Sequence, residues 1–196
     1  YSNAPAVELF VDGVSQGKKE FAQMETDYGY KYQQQSEDSD RLYLEWPLTW
    51  EYKQGTTIEA VAYDEQNRVI AKDTMTTAGK AAKLSAEADR TVIEADGYDL
   101  SYITVDVLDA DGNFVPTADN EIYFHIQGNG KIVGVDNGDA ASWERYQDYD
   151  GIWKRKAYSG KALVIVQSTE DAGSFTLTAS GAGLSKDAVT VYTTKE

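Results

Sequence analysis

Cysteine is absent from the 196 residues, so neither a disulfide scaffold nor a thiolate metal centre is available. Long apolar runs are also missing. No stretch approaches the roughly 20 apolar residues that a membrane-spanning helix needs, and no membrane insertion is expected. Positive charge is scarce: 18 Lys and Arg face 33 Asp and Glu, a formal net charge of -15. A polyanion of this kind repels nucleic acid and anionic membrane surfaces, so no nucleic-acid partner is expected. The same charge suits a solvated extracellular or surface protein whose partner is neutral, such as a sugar. Histidine occurs once, at His125, and no Gly-x-Ser-x-Gly elbow accompanies it, so a Ser/His/Asp triad has no visible second member. The chain opens on Tyr1-Ser2-Asn3-Ala4-Pro5 with no initiator Met or signal peptide and runs at once into strand-like sequence. That opening reads as a piece cut from a longer polypeptide.

What is present is strand rhythm. Val7, Leu9 and Val11 alternate with Glu8 and Phe10, and Asp12-Gly13 marks a turn. Lys18 to Met24 and Tyr28 to Gln34 are expected as the next strands. Tyr28, Tyr30 and Tyr32 would share one face, a stripe assigned to sheet packing, as is the group Trp46, Trp50 and Tyr52. Arg41 to Trp46 is expected as a strand closed by Pro47. Thr57–Tyr63 and Val69–Thr76 flank a loop of four or five residues. Thr77 to Ala81 is small, polar and non-periodic, and a domain boundary is placed there.

The rhythm then restarts. Ala82 to Glu87 and Tyr102 to Leu108 are expected strands, the latter with Ile103, Val105 and Val107 on one face. Glu121 to Gln127 turns Ile122, Phe124 and Ile126 inward and Tyr123 and His125 outward. Lys131 to Val135 is short, and Ala162 to Gln167 is a continuous apolar run expected at the centre of a sheet. Ser174 to Ser180 alternates with Phe175, Leu177 and Ala179 inward, and Asp187 to Thr194 closes the chain. No segment holds a helical face. The expected fold is all-β, two tandem immunoglobulin-like β-sandwich domains over residues 1–77 and 82–196. The first is short for a complete sandwich, as though its opening strands had been removed.

Several acids invite a chemical reading. Asp109-Ala110-Asp111-Gly112-Asn113 has the opening of a calcium loop, but its Gly is one position early and Ala118 stands where a Glu is required, so a hairpin turn explains it better. Asp136 and Asp139 are an equally thin cation pair. Paired carboxylates for glycoside hydrolysis are inevitable by chance among 33 acids, and here they fall mostly in turns and on polar strand faces. No catalytic, metal or cofactor residue is assigned. Residues 136–161 break the rhythm as a long insertion between strands, a length often tied to function. Trp143, Tyr146, Tyr149 and Trp153 crowd it, interleaved with Arg145, Asp148, Asp150 and Lys154. Flat aromatic faces beside carboxylates and amides are what sugar recognition uses. The candidate carbohydrate or interdomain contact is therefore Trp143, Arg145, Tyr146, Tyr149 and Trp153. Pinning of the loop by its own aromatics onto the sandwich or a neighbouring domain is an equal or better alternative.

Taken together these segments resemble a known family. Tyr1-Ser2-Asn3-Ala4 with Val7-Glu8-Leu9-Phe10-Val11-Asp12-Gly13 resembles the opening of the immunoglobulin-like domain behind the catalytic barrel of family 2 glycosidases. Leu48 to Tyr52 and Gly55 to Asp64 resemble that domain's closing strands. Asp99 to Val105, Asp109 to Pro116, Gly130 to Asp139 and Lys154 to Ser168 resemble the next domain of the same enzymes. The order of matches covers most of the chain, with the large cell-wall-anchored β-galactosidases of Gram-positive bacteria as the nearest type. The resemblance implies retaining hydrolysis of β-galactosides by two glutamates on a (β/α)₈ barrel, none of which is in this sequence. It implies a secreted or surface location in a bacterium, with that barrel as partner. Three roles stay open: an accessory region that supports the barrel and shapes its active-site rim, a module binding galactoside glycans through 143–153, and a surface-stalk or adhesin repeat.

Overall fold

A computed structural model describes residues 1–34, 43–48, 51, 53–148 and 150–195. The chain divides into two compact units, Tyr1–Thr77 and Ala78–Glu196. Every regular element among the described residues is a strand, and the fold is all-β, with sandwich-like sheets of the immunoglobulin-like kind.

The first unit contains β1 (Ala6–Val11), β2 (Val14–Glu20), β3 (Ala22–Glu25), β4 (Lys31–Gln34), β5 (Thr57–Tyr63) and β6 (Val69–Thr76). Four of them form an antiparallel sheet in the order β2-β1-β5-β6, and β3 and β4 make a separate hairpin. Asp12 and Gly13 both take positive φ, 48° and 77°. That is the type I′ geometry whose twist matches a two-residue hairpin. Asp12 also ties the turn to β5, its Oδ1 accepting the Thr57 N–H at 2.8 Å.

Three expectations for this unit change. Lys18 to Met24 is not one strand: Phe21 interrupts it, buried, its N–H donated to the Pro5 carbonyl at 2.9 Å. The strand expected from Tyr28 starts only at Lys31. Thr26 to Tyr30 form a turn in which the Thr26 side chain accepts the Tyr30 N–H and Gly29 sits at φ 77°. Tyr28, Tyr30 and Tyr32 are consequently all exposed rather than packed. Of the strand expected over Arg41 to Trp46, Arg41 and Leu42 lie outside the described residues, while Tyr43 to Trp46 run irregularly, with the Trp46 indole N–H donated to the Gly17 carbonyl at 2.9 Å. Trp50 and Tyr52 lie outside the described residues.

The second unit holds β7 (Ala81–Ala88), β8 (Val92–Glu94), β9 (Leu100–Asp109), β10 (Glu121–Gly128), β11 (Gly130–Asp136), β12 (Trp153–Lys156), β13 (Lys161–Ser168), β14 (Gly173–Gly181) and β15 (Leu184–Thr194). One layer runs β11-β13-β9-β7 and the other β15-β14-β10-β12. β7 belongs to both: it pairs antiparallel with β9 and, at Lys83 opposite Ser185, parallel with β15. The short β8 also runs parallel to β15. Period-2 alternation places the core. Ile103, Val105 and Val107 of β9 and Val164 and Val166 of β13 face Ile122 of β10 and Phe175, Leu177 and Ala179 of β14, all at or below 1% exposure. The apolar run of β13 is an inner strand between β11 and β9, with Leu163 and Ile165 half-buried on its second face. Two elements were not expected. β8 is one. The other is β12, which lies inside the stretch expected to be a continuous loop and shortens the irregular segment to residues 137–152.

Candidate functional site

The 137–152 loop leaves β11 and returns as β12, and its shape is set by Arg155. Trp153 and Arg155 of β12 and Ala157 just beyond it share one parity. Register pairs Trp153 with Phe124 and Arg155 with Ile122, two inward residues of β10. Arg155 is thereby drawn into the interior, 0% exposed. Its guanidinium gathers the loop: Nη1 donates to the Glu144 carbonyl at 2.9 Å and Nη2 to the Asn137 side-chain oxygen at 3.0 Å. Asp136 lies 3.4 Å from Nη2, and the Tyr146 ring stacks against the guanidinium at 5.1 Å. Nε has no hydrogen-bond partner; the Glu144 carboxylate is 3.7 Å away, an ion-pair distance but too long for a hydrogen bond.

The remaining contacts are local. Asp136 Oδ1 accepts the N–H groups of Asn137 and Gly138, and Asp139 Oδ1 accepts that of Ala141 at 2.9 Å. The Tyr146 carbonyl accepts the Val135 N–H at 2.8 Å, which binds the far end of the loop to β11. Asp136 and Asp139, weighed as a cation pair, thus cap the turns of this loop.

The five candidate residues divide four ways. Trp153 is half-buried against the core and belongs to the scaffold. Tyr146 is half-spent on Arg155. Trp143 stands clear of the surface at 99% exposure, with Arg145 beside it. Tyr149 lies outside the described residues. Trp143 overhangs a half-open cleft of about 490 Å³, whose other apolar walls are Tyr123 of β10 and Ile152 at the end of the loop. Glu144, Arg145, Gln147 and Lys154 supply its polar lining. Lys154 donates to Glu121 at 2.8 Å, and the Tyr123 hydroxyl donates to the same carboxylate. The Lys154 hydrogen bond, then that of Tyr123, holds the Glu121 carboxyl below its ordinary value.

The structure also places two other sequence candidates. His125 is exposed on β10, facing outward beside Thr178 of β14. The calcium-like Asp109 turn is a tight, internally bonded loop. Buried Asp109 accepts the Gly79 N–H at 2.7 Å, the Asn113 N–H at 2.8 Å and the Asn113 side-chain amide at 3.0 Å. The Gly79 N–H contributes most to lowering its carboxyl from 3.8 to about 2. The folded value lies below the unfolded one, so Asp109 stabilises the protein fully above 3.8, and that contribution fades as pH falls towards about 2. Asp109→Asn should therefore be less stable than the parent at neutral pH, with the gap narrowing across that acid window. Urea midpoints for both proteins down the pH series check this, and a constant gap would refute it.

The family model described as glycoside hydrolase family 2 C-terminal domain 5 matches residues 84–190, which includes the whole loop and its cleft. A second model, a domain of unknown function (DUF4982), matches residues 1–71. The chain belongs to glycoside hydrolase family 2. A β-galactosidase of Bacteroides ovatus is 41% identical over 184 residues, 94% of this chain and 19% of that protein. A putative β-glucuronidase of Formosa agariphila is 30% identical over 138 residues, 70% of this chain and 12% of that protein. Among solved structures, a family 2 glycosyl hydrolase from Bacteroides cellulosilyticus superposes with TM-score 0.74 at 31% identity, covering 100% of this chain and 22% of that one. A β-glycosidase from Bacteroides vulgatus gives 0.77 at 27% identity, covering 98% and 22%. The chain therefore spans about a fifth or less of these relatives.

Within this family 2 C-terminal region, composition alone pointed to Trp143 and Arg145, with Lys154 among the charges around them, but missed Tyr123, Ile152 and Arg155. Tyr123 is contributed by a different strand and reaches the cleft only through the Tyr123–Lys154 register. Arg155 had a legible signal, the shared parity of Trp153, Arg155 and Ala157, which requires the charged member to point inward with the other two.

Proposed function

We propose that this chain is a non-catalytic accessory region of a β-galactosidase, two sandwiches that buttress a catalytic (β/α)₈ barrel carried by the same polypeptide. The observation that carries the reading is the 41% identity to the Bacteroides ovatus β-galactosidase over nearly the whole chain, within only 19% of that protein. The acidic surface, net -15, fits an enzyme working at a bacterial surface or outside the cell.

Deleting residues 78–196 from the full-length enzyme should lower its melting temperature and its turnover of a β-galactoside. The isolated chain should release no galactose from lactose. An enzyme indifferent to the deletion, or hydrolysis by the isolated chain, would sink the reading. One observation favours a second role beside the first, contact of the loop with carbohydrate: an indole exposed at 99% above a formed cleft.

A further inference from the structure

We infer that the cleft beneath Trp143 is a subsite for a neutral pyranoside chain, with the Trp143 indole as its stacking platform. This goes beyond the buttressing role, which stands whether or not the cleft takes sugar. The cleft, at about 490 Å³, falls in the range of roughly 300–1,000 Å³ typical of small-molecule sites, room for a short oligosaccharide. Its apolar surfaces are flat or compact and come from three places, Trp143, Tyr123 and Ile152. A pyranose presents its C–H groups to such faces and turns its hydroxyls outward. Glu144, Gln147 and Lys154 stand at the edge with acceptors and donors to meet those hydroxyls.

The site is formed in advance. Arg155 holds Asn137 and Glu144, and β11 holds the Tyr146 carbonyl, so a ligand does not have to order the loop that carries Trp143. Charge selects the ligand class. Lys154 is already neutralised by Glu121, and Glu144 faces buried Arg155. Arg145 is the remaining cation of the lining, but an anionic sugar would approach it against a chain of net charge -15, and a neutral sugar would not. A protein partner fits less well: four of the seven lining residues are charged or carry an amide, whereas interface centres are depleted of charge.

The test is titration of the whole 196-residue chain with galactose, lactose and cellobiose as neutral probes and glucuronate as the anionic one, followed by heat and by tryptophan fluorescence. Saturable binding of a neutral disaccharide at roughly millimolar affinity is expected. Trp143→Ala should weaken it about tenfold or more while leaving the far-ultraviolet circular dichroism unchanged, since the side chain is 99% exposed. Tyr123→Ala should weaken it by a smaller factor. Absence of saturable binding, equal binding by Trp143→Ala, or tighter binding of glucuronate than of any neutral sugar would each overturn the inference. Trp143→Ala in the full-length enzyme distinguishes the remaining case. Loss of thermal stability there, with no sugar binding by the chain, would assign Trp143 to a protein contact and leave the accessory reading intact. Failure of that reading is seen instead in the deletion of 78–196.

Discussion

Arg155→Ala should destabilise the second unit by about 2–4 kcal/mol and release the 137–152 loop. Breaking a buried ion pair by removing one partner costs about 3–5 kcal/mol when the other is left uncompensated in the interior. Here the partners are not fully interior: the side chains of Asp136 and Glu144 are 42% and 33% exposed and can recover water, which lowers the expected cost. What cannot recover is the Glu144 carbonyl geometry, the Asn137 amide contact and the face of Tyr146, all of which converge on one guanidinium. Guanidinium-chloride unfolding gives the magnitude, and limited proteolysis reads the loop. A change below about 0.5 kcal/mol, the range of an ordinary surface substitution, would show that Arg155 does not organise the segment.

Arg155→Met separates packing from bonding. Well-packed apolar side chains often replace buried ions without loss of stability, and Trp153 and Ile122 offer an apolar setting for the thioether. The Met variant should regain most of the stability lost in Arg155→Ala, yet remain open to protease between Asn137 and Ile152. Full protection of the loop in Arg155→Met would move the ordering role from the guanidinium to the local turns at Asp136 and Asp139.

Legibility followed burial. Strands with one buried face declared it in period 2, as in Ile103, Val105 and Val107 or Phe175, Leu177 and Ala179, because a slip of one residue would turn the whole apolar set to solvent. The tyrosines at 28, 30 and 32 keep the same alternation without that constraint. Thr26 and Gly29 bend the chain beneath them, and turn chemistry overrode the pattern. β8 has only three residues, too few to show a period, and exists because β15 offers Tyr192 to Thr194 as a parallel edge. Of the candidate site, the part written in composition was visible and the part written in register was not. Trp143 and Arg145 are conspicuous in any reading of the loop. Tyr123 becomes part of the cleft only when β10 and β12 pair, and Trp153, equally conspicuous, is removed from it by the same pairing.

The second large effect lies where β10 passes into β11 over the ring of Phe175. Phe175→Ala should cost about 3–5 kcal/mol, since the ring is almost wholly buried between the two layers. Its neighbours explain two glycines and let them be told apart. A Cβ on Gly130 would lie 2.6 Å from the Phe175 ring, while the backbone there is outside the left-handed region. Gly130 is therefore required by the ring alone, and Gly130→Ala should cost about 1–3 kcal/mol through overpacking. At Gly128, φ is +101° and a Cβ would lie 2.3 Å from the Ser174 carbonyl oxygen, so the requirement comes from the backbone. In a Phe175→Ala background, Gly130→Ala should lose most of its penalty, a coupling of at least about 1 kcal/mol. Gly128→Ala should keep its own. If Phe175→Ala does not fold, Phe175→Leu gives a milder truncation in which the Gly130 penalty shrinks in part. Denaturant midpoints of the two cycles decide the matter: additive costs at Gly130 would mean that the ring is not what excludes a side chain, and relief at Gly128 would mean that its backbone is less constrained than its conformation implies.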